Sequence, residues 1–495
     1  MRLSGEFARS LRFEESAKEV VSRPLLELPL LISERALVDG VDVLAASAEA
    51  MSIAGHTPSM DVIAMPKRGY GPRPIGILSP VARTIYESIV GRLQPHLPKP
   101  SREQGIDAHR AFGVDGEQSS EARIVDMDIA ACYEYVDHRI LSDEILMQSL
   151  DPEASRALSE LLGDMFPRAV GIPQAMSASH LLADVYLDRI ERGIRRGGYE
   201  VNRFADDFRV VSQSWASAHH AIELVVEEAR AIGLTLADGK TRIHSVKQLL
   251  DAEEEREALL DAYRSRAADN LRSMEFVQIG YDDFEIEEVD APDDEIDFAA
   301  LKGIVQDWVQ GDPEQRTLHA TFGSRALRVL RSAPERLPDN WLLEIVAREP
   351  PQLRNVLVYL RARSEHRENW GTLARLAALP RTSSWARIWL LRTAETLTAP
   401  GRADRAPLEE WAKQCLNDKS EVVRAEAAWT LAQSTSITAE QLADLFVEST
   451  GITRCGVSAV VGRWDGEVPS KLGKAMQADS QLVRAAYQWG AASDR

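Results

Sequence analysis

The sequence contains little cysteine and no long apolar segment. Its three cysteines, Cys132, Cys415 and Cys455, are far apart in 495 residues and odd in number. This excludes a disulfide framework and a cysteine-based zinc site, and it predicts a protein of the reducing cytoplasm. No apolar run approaches the roughly 20 residues that cross a bilayer, and the N-terminus lacks a basic-then-apolar signal pattern. We therefore expect no membrane association.

Basic residues are outnumbered by acidic residues. The 58 Lys and Arg residues face 77 Asp and Glu residues, which gives a formal net charge of −19. Proteins that clamp long nucleic-acid duplexes are usually basic, because neutralised phosphates supply the affinity. General electrostatics are therefore not expected to hold such a partner here. With 44% hydrophobic and 27% charged residues, the chain is expected to form two or three globular domains.

Two adjacent carboxylates near the middle of the chain are its most informative feature. The segment Phe204–Asp207, Phe-Ala-Asp-Asp, lies between Val201 and the apolar run Phe208–Val211, which predicts strand, tight turn, strand. Neighbouring like charges raise each other's pKa unless a cation lies between them. A divalent metal ion is the usual reason for such a pair, although aspartate is also an ordinary turn residue.

A third carboxylate, Asp128, follows an apolar strand that begins at Arg123, and Tyr133 comes five residues later. If the strands are neighbours in one sheet, Asp128 meets Asp206 and Asp207. Three such carboxylates hold two Mg²⁺ ions roughly 3.5–4 Å apart in polymerases, where they serve in-line phosphoryl transfer. One ion lowers the pKa of the attacking hydroxyl, and the other neutralises the leaving pyrophosphate.

Three further motifs carry groups that suit a nucleotide. Gly171–Ser179 predicts a Gly-Pro turn and a helix that Ser177 or Ser179 caps, a helix start suited to phosphate or base contacts. Lys240 follows a turn and is either a donor for the leaving pyrophosphate or a solvated lysine. Between residues 62 and 102, seven Lys or Arg residues face one acid. This basic stripe suits a triphosphate or a nucleic-acid backbone, or else it is a solvated face.

In this order, the motifs resemble the fingers and palm of reverse transcriptases. The resemblance covers roughly residues 60–250 and comprises Lys-x5-Arg-Pro-Ile-Gly-Ile, Asp-Ile-x3-Tyr, Gly-Ile-Pro-Gln, Phe-Ala-Asp-Asp and Gly-Leu-x-Leu-x3-Lys-Thr. It implies eight site residues: Asp128, Asp206 and Asp207 as metal ligands, Tyr133 against a ribose 2′-hydroxyl, Gln174 at the incoming nucleotide, Lys67 and Arg73 at its phosphates, and Lys240 near the leaving group. Tyr133 could equally serve core packing.

Four positions depart from the family pattern. Phe204 replaces a Tyr, Ala175 replaces a Gly, and His180 and Asp184 replace a Pro and an Asn. The three aspartates are unaffected. The departures bear instead on how the template and primer backbone are gripped, because Gly allows close approach of another chain.

The chain becomes helix-rich after about residue 296. Arginines recur near expected helix starts at intervals of about 30 to 38 residues, the range of helical solenoid repeats. The two clearest copies, 423–429 and 483–489, keep the same spacing between Arg and Trp. The segment 418–431 resembles a HEAT repeat, and an irregular helical bundle is the alternative.

These patterns predict an α+β polymerase with fingers and a right-hand palm built on an antiparallel sheet, followed by an all-α HEAT-like repeat domain. The expected divisions are an N-terminal and fingers region at 1–115, a palm at 116–250, an acidic connector at 251–297, and a repeat domain in place of a thumb at 298–495. The acidic residues 281–295 are expected to form an exposed loop or linker.

The palm, the acidic balance and the helical C-terminal part together resemble the abortive-infection group of bacterial antiphage reverse transcriptases. The resemblance implies a cytoplasmic homo-oligomer that makes single-stranded DNA from dNTPs without an obvious template and attaches it to a protein hydroxyl. Candidate priming residues are Tyr70, Tyr199, Tyr263, Tyr281, Tyr359 and Tyr487. The alternatives are a conventional reverse transcriptase that copies an RNA template with a dedicated noncoding RNA, and a non-catalytic helical-repeat interaction protein.

Overall fold

The chain forms two compact units in the computed structural model. The first comprises Met1–Ala64, Pro74–Leu250 and Ala412–Arg495, and the second comprises Met65–Arg73 and Asp251–Trp411. The structure describes residues 1–67, 71–115, 119–271, 273–278, 284–289, 292–311, 316–380, 382–398, 401–434, 436–466 and 468–493.

The chain begins with helices that lead into a two-stranded sheet and a buried helix. These elements are α1 (Gly5–Ser10), α2 (Phe13–Ser22), α3 (Ile32–Arg35), α4 (Val41–Ala54), β1 (Met60–Pro66), β2 (Pro72–Leu78) and α5 (Pro80–Leu93). Helix α5 starts where the sequence provides both a cap and a pre-set backbone angle. Ser79 Oγ accepts a hydrogen bond from the Ala82 N–H, and Pro80 takes the first helical position, where its missing N–H costs nothing.

A four-stranded sheet with covering helices follows. Its elements are α6 (Gly105–Ala111), β3 (Arg123–Asp128), α7 (Cys132–Tyr135), α8 (His138–Ser149), α9 (Pro152–Met165), α10 (Ser177–Arg196), β4 (Glu200–Phe204), β5 (Asp207–Ser212), α11 (Trp215–Ala231) and β6 (Arg242–Ser245). The strand order is β4-β5-β3-β6, and every neighbouring pair is antiparallel. Helix α11 packs on β3 and β5, where apolar side chains such as Val125 and Val210 are fully buried. The predicted antiparallel palm sheet is confirmed.

The hairpin of β4 and β5 was predicted correctly, whereas the N-terminal cap of α10 was not. The hairpin of β4 and β5, with Ala205 and Asp206 at its turn, has the predicted form. The predicted capping of α10 by serine was wrong, because its N-cap, Met176, makes no side-chain cap. Instead, the Ala178 N–H donates to the carboxylate of Glu87 on α5. A residue distant in sequence has taken the capping role, which a local pattern does not reveal.

The second unit is mainly helical. Its elements are most of α12 (Val246–Leu271), β7 (Ser273–Gln278), β8 (Phe284–Val289), α13 (Asp293–Gln310), α14 (Arg316–Leu330), α15 (Asp339–Arg348), α16 (Leu353–Arg361), α17 (Glu368–Ala377), α18 (Ser384–Ala394) and most of α19 (Arg402–Cys415). Helices α13, α15 and α17 pack in sequence, and so do α14, α16 and α18. Two layers of alternating helices are typical of repeat architectures. The assignment as HEAT-like stays a prediction.

The acidic stretch contains a strand where a loop was expected. Residues 284–289 form β8, which pairs antiparallel with β7. Alternation of apolar and acidic residues, Phe-Glu-Ile-Glu-Glu-Val, favours a strand even where charge is high. Residues 281–283, 290 and 291 lie outside the described residues. Among the described residues, no helix combines the length and the apolar character that spanning a bilayer requires.

The C-terminal helices belong to the first unit. They are α20 (Glu421–Ala432), α21 (Ala439–Glu448), α22 (Arg454–Asp465), α23 (Lys471–Asp479) and α24 (Gln481–Ala492). Helices α20 and α22 contact the N-terminal helix α3, and α24 contacts α4. The buried Glu426 accepts a 2.6 Å hydrogen bond from the Ile32 N–H. Arg35 lies over the stacked rings of Trp429 and Trp489. The predicted division at 298–495 stays a prediction, to which the structure adds that 412–495 packs within the first unit.

Candidate active site

The three aspartates lie at one end of the four-stranded sheet. Asp128, the last residue of β3, is the direct cross-strand partner of Asp207, the first residue of β5. Opposed residues of antiparallel strands have Cβ atoms roughly 4.5–5.5 Å apart. Asp206 stands in the adjoining turn, and its carbonyl accepts a 3.2 Å hydrogen bond from the Ile129 N–H. Strand pairing therefore brings together carboxylates that are about 80 residues apart in sequence.

Lys240 reaches the same carboxylates from another segment. The Ala237 N–H donates to the Asp128 carbonyl at 2.8 Å, which ties the loop before Lys240 to the end of β3. Lys240 ends a short 3-10 helix, Asp238–Lys240, and its Nζ lies 2.7 Å from Asp128 Oδ1. The predicted donor thus contacts a predicted metal ligand.

The electrostatics of the site are those of crowded like charges. Burial raises the pKa of Asp206, and the charge of Asp128 adds to the rise. For Asp207, burial and then the charges of Asp206 and Asp128 raise the pKa. Burial opposes the charge on Lys240, but the hydrogen bond and the three carboxylates outweigh it, so its pKa is raised. The guanidinium of Arg102 and the ammonium of Lys240 oppose the rise at Asp206. Two cations therefore partly offset three acids, and the site retains a deficit of positive charge.

The chemistry of these donors fits a hard divalent cation. Among the described residues, no group of three or more His, Cys, Asp or Glu has the arrangement of a formed metal site. Carboxylate oxygens are nevertheless the ligands that Mg²⁺ prefers. Burial and then mutual repulsion raise the pKa of Asp206 and Asp207, and such an ion favours the charged form that both effects oppose. The side chains of Asp128, Asp206 and Asp207 would hold it.

Tyr133 follows the end of β3 and is held by a histidine. The chain turns through Ala131, whose φ is +49°, into α7, which contains Tyr133. The Tyr133 hydroxyl lies 2.7 Å from His180 Nδ1, and the two rings meet edge to face at 5.9 Å. Burial raises the pKa of Tyr133, so the phenol stays protonated. His180, noted in the sequence only as a departure from a family pattern, is therefore a contact of the predicted sugar-facing residue.

The remaining predicted residues lie in two places. Gln174 is buried in the turn before α10, and this turn is tied to α7 because the Ile172 N–H donates to the Tyr133 carbonyl at 2.9 Å. Lys67 and Arg73 are exposed, the first just after β1 and the second within β2, and both belong to the second unit. Their predicted phosphate contacts stay predictions.

The sequence did not reveal the role of three residues that contact the turn between β4 and β5. Ser101, Asp184 and Arg203 are buried and hydrogen-bonded to one another next to Ala205. Only Arg203 carried a usable signal. It is an arginine on the same face of β4 as the buried Val201, and a buried charge needs a partner.

Comparison with known proteins gives a family for this part of the chain. Residues 65–277 match the model of the family described as reverse transcriptase (RNA-dependent DNA polymerase). This part of the chain, which is less than half of its length, is therefore similar to a reverse transcriptase domain. No curated protein sequence matches the chain.

Two solved structures are similar to the chain at low identity. A telomerase from Candida albicans in complex with a TWJ fragment of telomeric RNA is 10% identical, with 76% of this chain and 64% of that chain covered and a TM-score of 0.29. An apo telomerase from Candida tropicalis is 9% identical, with 87% and 68% covered and a TM-score of 0.30. The chain thus spans less than two thirds of the first of these structures.

Proposed function

We propose that the protein is a Mg²⁺-dependent DNA polymerase whose centre is the end of the sheet that carries Asp128, Asp206 and Asp207. The observation that carries the proposal is the direct pairing of Asp128 with Asp207, with Lys240 on Asp128. When bound, the metal supplies activation of a primer hydroxyl and neutralisation of phosphate charge.

The residues of the chain have distinct tasks in this reaction. The primer oxygen forms a bond to the α-phosphorus of a dNTP, and the bond from that phosphorus to the bridging oxygen breaks to release pyrophosphate. Lys240, whose raised pKa keeps it protonated, donates a proton to the leaving pyrophosphate or neutralises its negative charge. Tyr133, held by His180, stands against the sugar. Gln174 contacts the incoming nucleotide, and the contacts of Lys67 and Arg73 with its phosphates rest on the sequence resemblance alone.

Purified protein incubated with labelled dNTPs, Mg²⁺ and a range of primers and templates tests the proposal. Wild type should incorporate label, and Asp206→Ala/Asp207→Ala should be inactive with an unchanged circular dichroism spectrum. Asp143→Ala, an exposed aspartate on α8, is the matched control and should retain activity. A wild type that incorporates nothing with any primer or template would exclude polymerisation.

The finer part of the proposal concerns antiphage defence and priming. The motif set, the acidic balance and the helical C-terminal part support a homo-oligomeric defence enzyme that extends DNA from its own hydroxyl without a template. Phage plating on cells that express wild type or Asp206→Ala/Asp207→Ala tests the defence role, and equal plating would contradict it.

The structure bears on the choice of priming tyrosine. Tyr70 and Tyr281 lie outside the described residues. The hydroxyls of the other four are hydrogen-bonded, and three of these side chains are buried: Tyr199 bonds to Ser217 and His220, Tyr263 to Asp307, Tyr359 to Leu337 and Tyr487 to Asp465. Tests of self-priming therefore begin with Tyr70→Phe and Tyr281→Phe. A nuclease-sensitive shift of the protein band that one of them abolishes would support priming from that residue.

The second candidate is copying of an RNA template with a dedicated noncoding RNA. It is favoured by the family match, whose description is an RNA-dependent DNA polymerase. Sequencing the nucleic acid that co-purifies with the protein separates the candidates. A single defined RNA supports templated synthesis, and DNA of random or homopolymeric sequence supports untemplated synthesis.

A further inference from the structure

The turn that carries the two adjacent aspartates has a residue in a disfavoured backbone conformation. Ala205, between Phe204 and Asp206, has φ of +58°. For residues other than Gly, the left-handed region is disfavoured, because Cβ approaches the following carbonyl oxygen. Such a conformation persists only where surrounding contacts hold it. The directions of Asp206 and Asp207 depend on it, because they follow immediately in the chain.

Both backbone polar groups of Ala205 are held by buried side chains. Its N–H donates to Ser101 Oγ at 3.0 Å, and its carbonyl accepts from Arg203 Nη1 at 3.0 Å. Ser101 comes from a short 3-10 helix, Ser101–Gln104, more than 100 residues earlier in the chain. The turn is therefore held by Arg203 of the adjoining strand β4 and by Ser101 of a segment that is distant in the sequence.

Asp184 on α10 completes the set. Its Oδ1 accepts from Ser101 Oγ at 2.7 Å and from Arg203 Nη1 at 2.5 Å, and its Oδ2 accepts from the Ser101 N–H at 3.3 Å. Because the Ser101 proton is committed to Asp184, the lone pairs of Oγ face the Ala205 N–H. Arg203 Nε donates to Glu191, which fixes the guanidinium from its far side.

The burial of this set makes it rigid. The exposed fractions are 9% for Ser101, 2% for Asp184 and 4% for Arg203. In such surroundings, a hydrogen bond is electrostatically stronger than in water, and a lost partner leaves a buried polar group unsatisfied, which is destabilising. The contacts can therefore outweigh the conformational cost at Ala205.

We propose that Ser101, Asp184 and Arg203 are positioning residues that hold Ala205 in the left-handed conformation and thereby direct the carboxylates of Asp206 and Asp207 into the site. The catalytic consequence rests on the proposed function, whereas the backbone lock does not.

Glycine gives a sharp test, because it adopts positive φ at little cost. If Ser101 acts by holding Ala205, then Ser101→Ala should lower kcat at least tenfold with less than a threefold change in the KM for dNTP. Adding Ala205→Gly should restore kcat to at least half that of Ala205→Gly alone. A merely structural role for Ser101 predicts no rescue by a glycine in the turn.

The matched control is Ser155→Ala. Ser155 is a buried serine on α9 whose hydroxyl also makes hydrogen bonds, to Ser142. The substitution removes comparable bonds away from the turn and should leave kcat and KM within twofold of wild type. Thermal unfolding of each variant defines the temperature at which all are fully folded, and the kinetics are measured there.

Hydrogen–deuterium exchange provides a readout that needs no activity. In the peptide 200–212, Ser101→Ala should make one additional amide exchange fast, and Ser155→Ala should not. Ala205→Gly should rescue kcat in the double variant without restoring that protection, because the acceptor is still missing.

Three outcomes would overturn the proposal: a Ser101→Ala enzyme with wild-type kcat, a double variant as slow as Ser101→Ala, or identical exchange of 200–212 in wild type and Ser101→Ala. A wild type that does not polymerise would count against the proposed function alone, and the exchange experiment would still decide on the lock.

Discussion

Lys240 and Asp128 form an ion pair at the end of the central sheet, with Nζ 2.7 Å from Oδ1. The lysine side chain is 66% exposed and the aspartate 8%. The exposed ammonium of Lys240 therefore partly offsets the charge of the buried Asp128, which lies close to Asp206 and Asp207. In the proposed reaction, the same ammonium would compete with a metal ion for Asp128 and would be available to the leaving pyrophosphate.

Replacement of Lys240 should separate these two effects. In Lys240→Met, Mn²⁺ should bind at least as tightly as in wild type, because a competing charge has gone. Nucleotide incorporation should be slower by about 100-fold, the lower end of what a positioned proton donor contributes. Electron paramagnetic resonance measures free Mn²⁺, and single-turnover kinetics measures incorporation. Lys247→Met, at an exposed lysine, is the control; weaker Mn²⁺ binding with unchanged incorporation in Lys240→Met would contradict both effects.

The Tyr133–His180 contact should affect the choice between dNTP and rNTP. His180→Phe keeps an aromatic ring against Tyr133 but removes the 2.7 Å hydrogen bond, so the phenol gains freedom beside the sugar. The preference for dNTP, as a ratio of kcat/KM values, should fall about tenfold, or by about 1.4 kcal/mol.

The chain offers a control of the same chemistry for this prediction. Tyr199 and His220 form another tyrosine–histidine pair at 2.7 Å, so His220→Phe removes an equivalent hydrogen bond and should leave the preference unchanged. If both variants select dNTP as wild type does, Tyr133 acts as core packing rather than in sugar selection.

Glu87 should make stability depend on pH. Burial raises its pKa from 4.5 to about 7, and Glu19 adds to the rise, while Arg83, the Ala178 N–H and Arg23 oppose it. A buried acid with a raised pKa stabilises the fold while it is protonated, and that contribution is lost as pH rises from 4.5 through about 7.

The substitution Glu87→Gln removes this loss, since the amide stays neutral and its oxygen still accepts from Ala178. Relative to wild type, the variant should gain stability between pH 5 and pH 8, with an upper bound of roughly 3 kcal/mol. Thermal unfolding at both pH values measures it. The exposed Glu121→Gln should show no comparable gain, and a Glu87→Gln difference that is constant with pH would refute the assignment.

The contact between Glu426 and Ile32 should make the C-terminal helices part of the folding of the first unit. Glu426→Ala leaves a buried N–H without its 2.6 Å acceptor, at a cost of about 1–3 kcal/mol. Urea unfolding measures the loss of stability. Limited proteolysis, with identification of the peptides released from residues 1–64, shows whether that region has changed. Glu440→Ala, at an exposed position of α21, should stay within about 0.5 kcal/mol of wild type; destabilisation confined to 412–495 would show the segment to be separable.

Local sequence patterns predicted the strands and the turn that carry the candidate site residues. The Phe-Ala-Asp-Asp hairpin and the strand before Asp128 follow from apolar runs and turn residues within a few positions of each other, and both are present. The cap of α10 and the loop at 284–289 were predicted from the same kind of local reasoning and were wrong. In the first case Glu87 of another helix supplies the acceptor, and in the second backbone pairing with β7 outweighs the charge.

The sequence alone determined which residues are candidates for the chemistry and the order in which they come, because strand alternation and turn composition are encoded over short distances. The tertiary structure decided what those residues touch. Ser101 meets Ala205 across 104 positions and Glu426 meets Ile32 across 394. Contacts over such distances arise from packing and from the need to pair buried polar groups, and neither leaves a periodic signal in the chain.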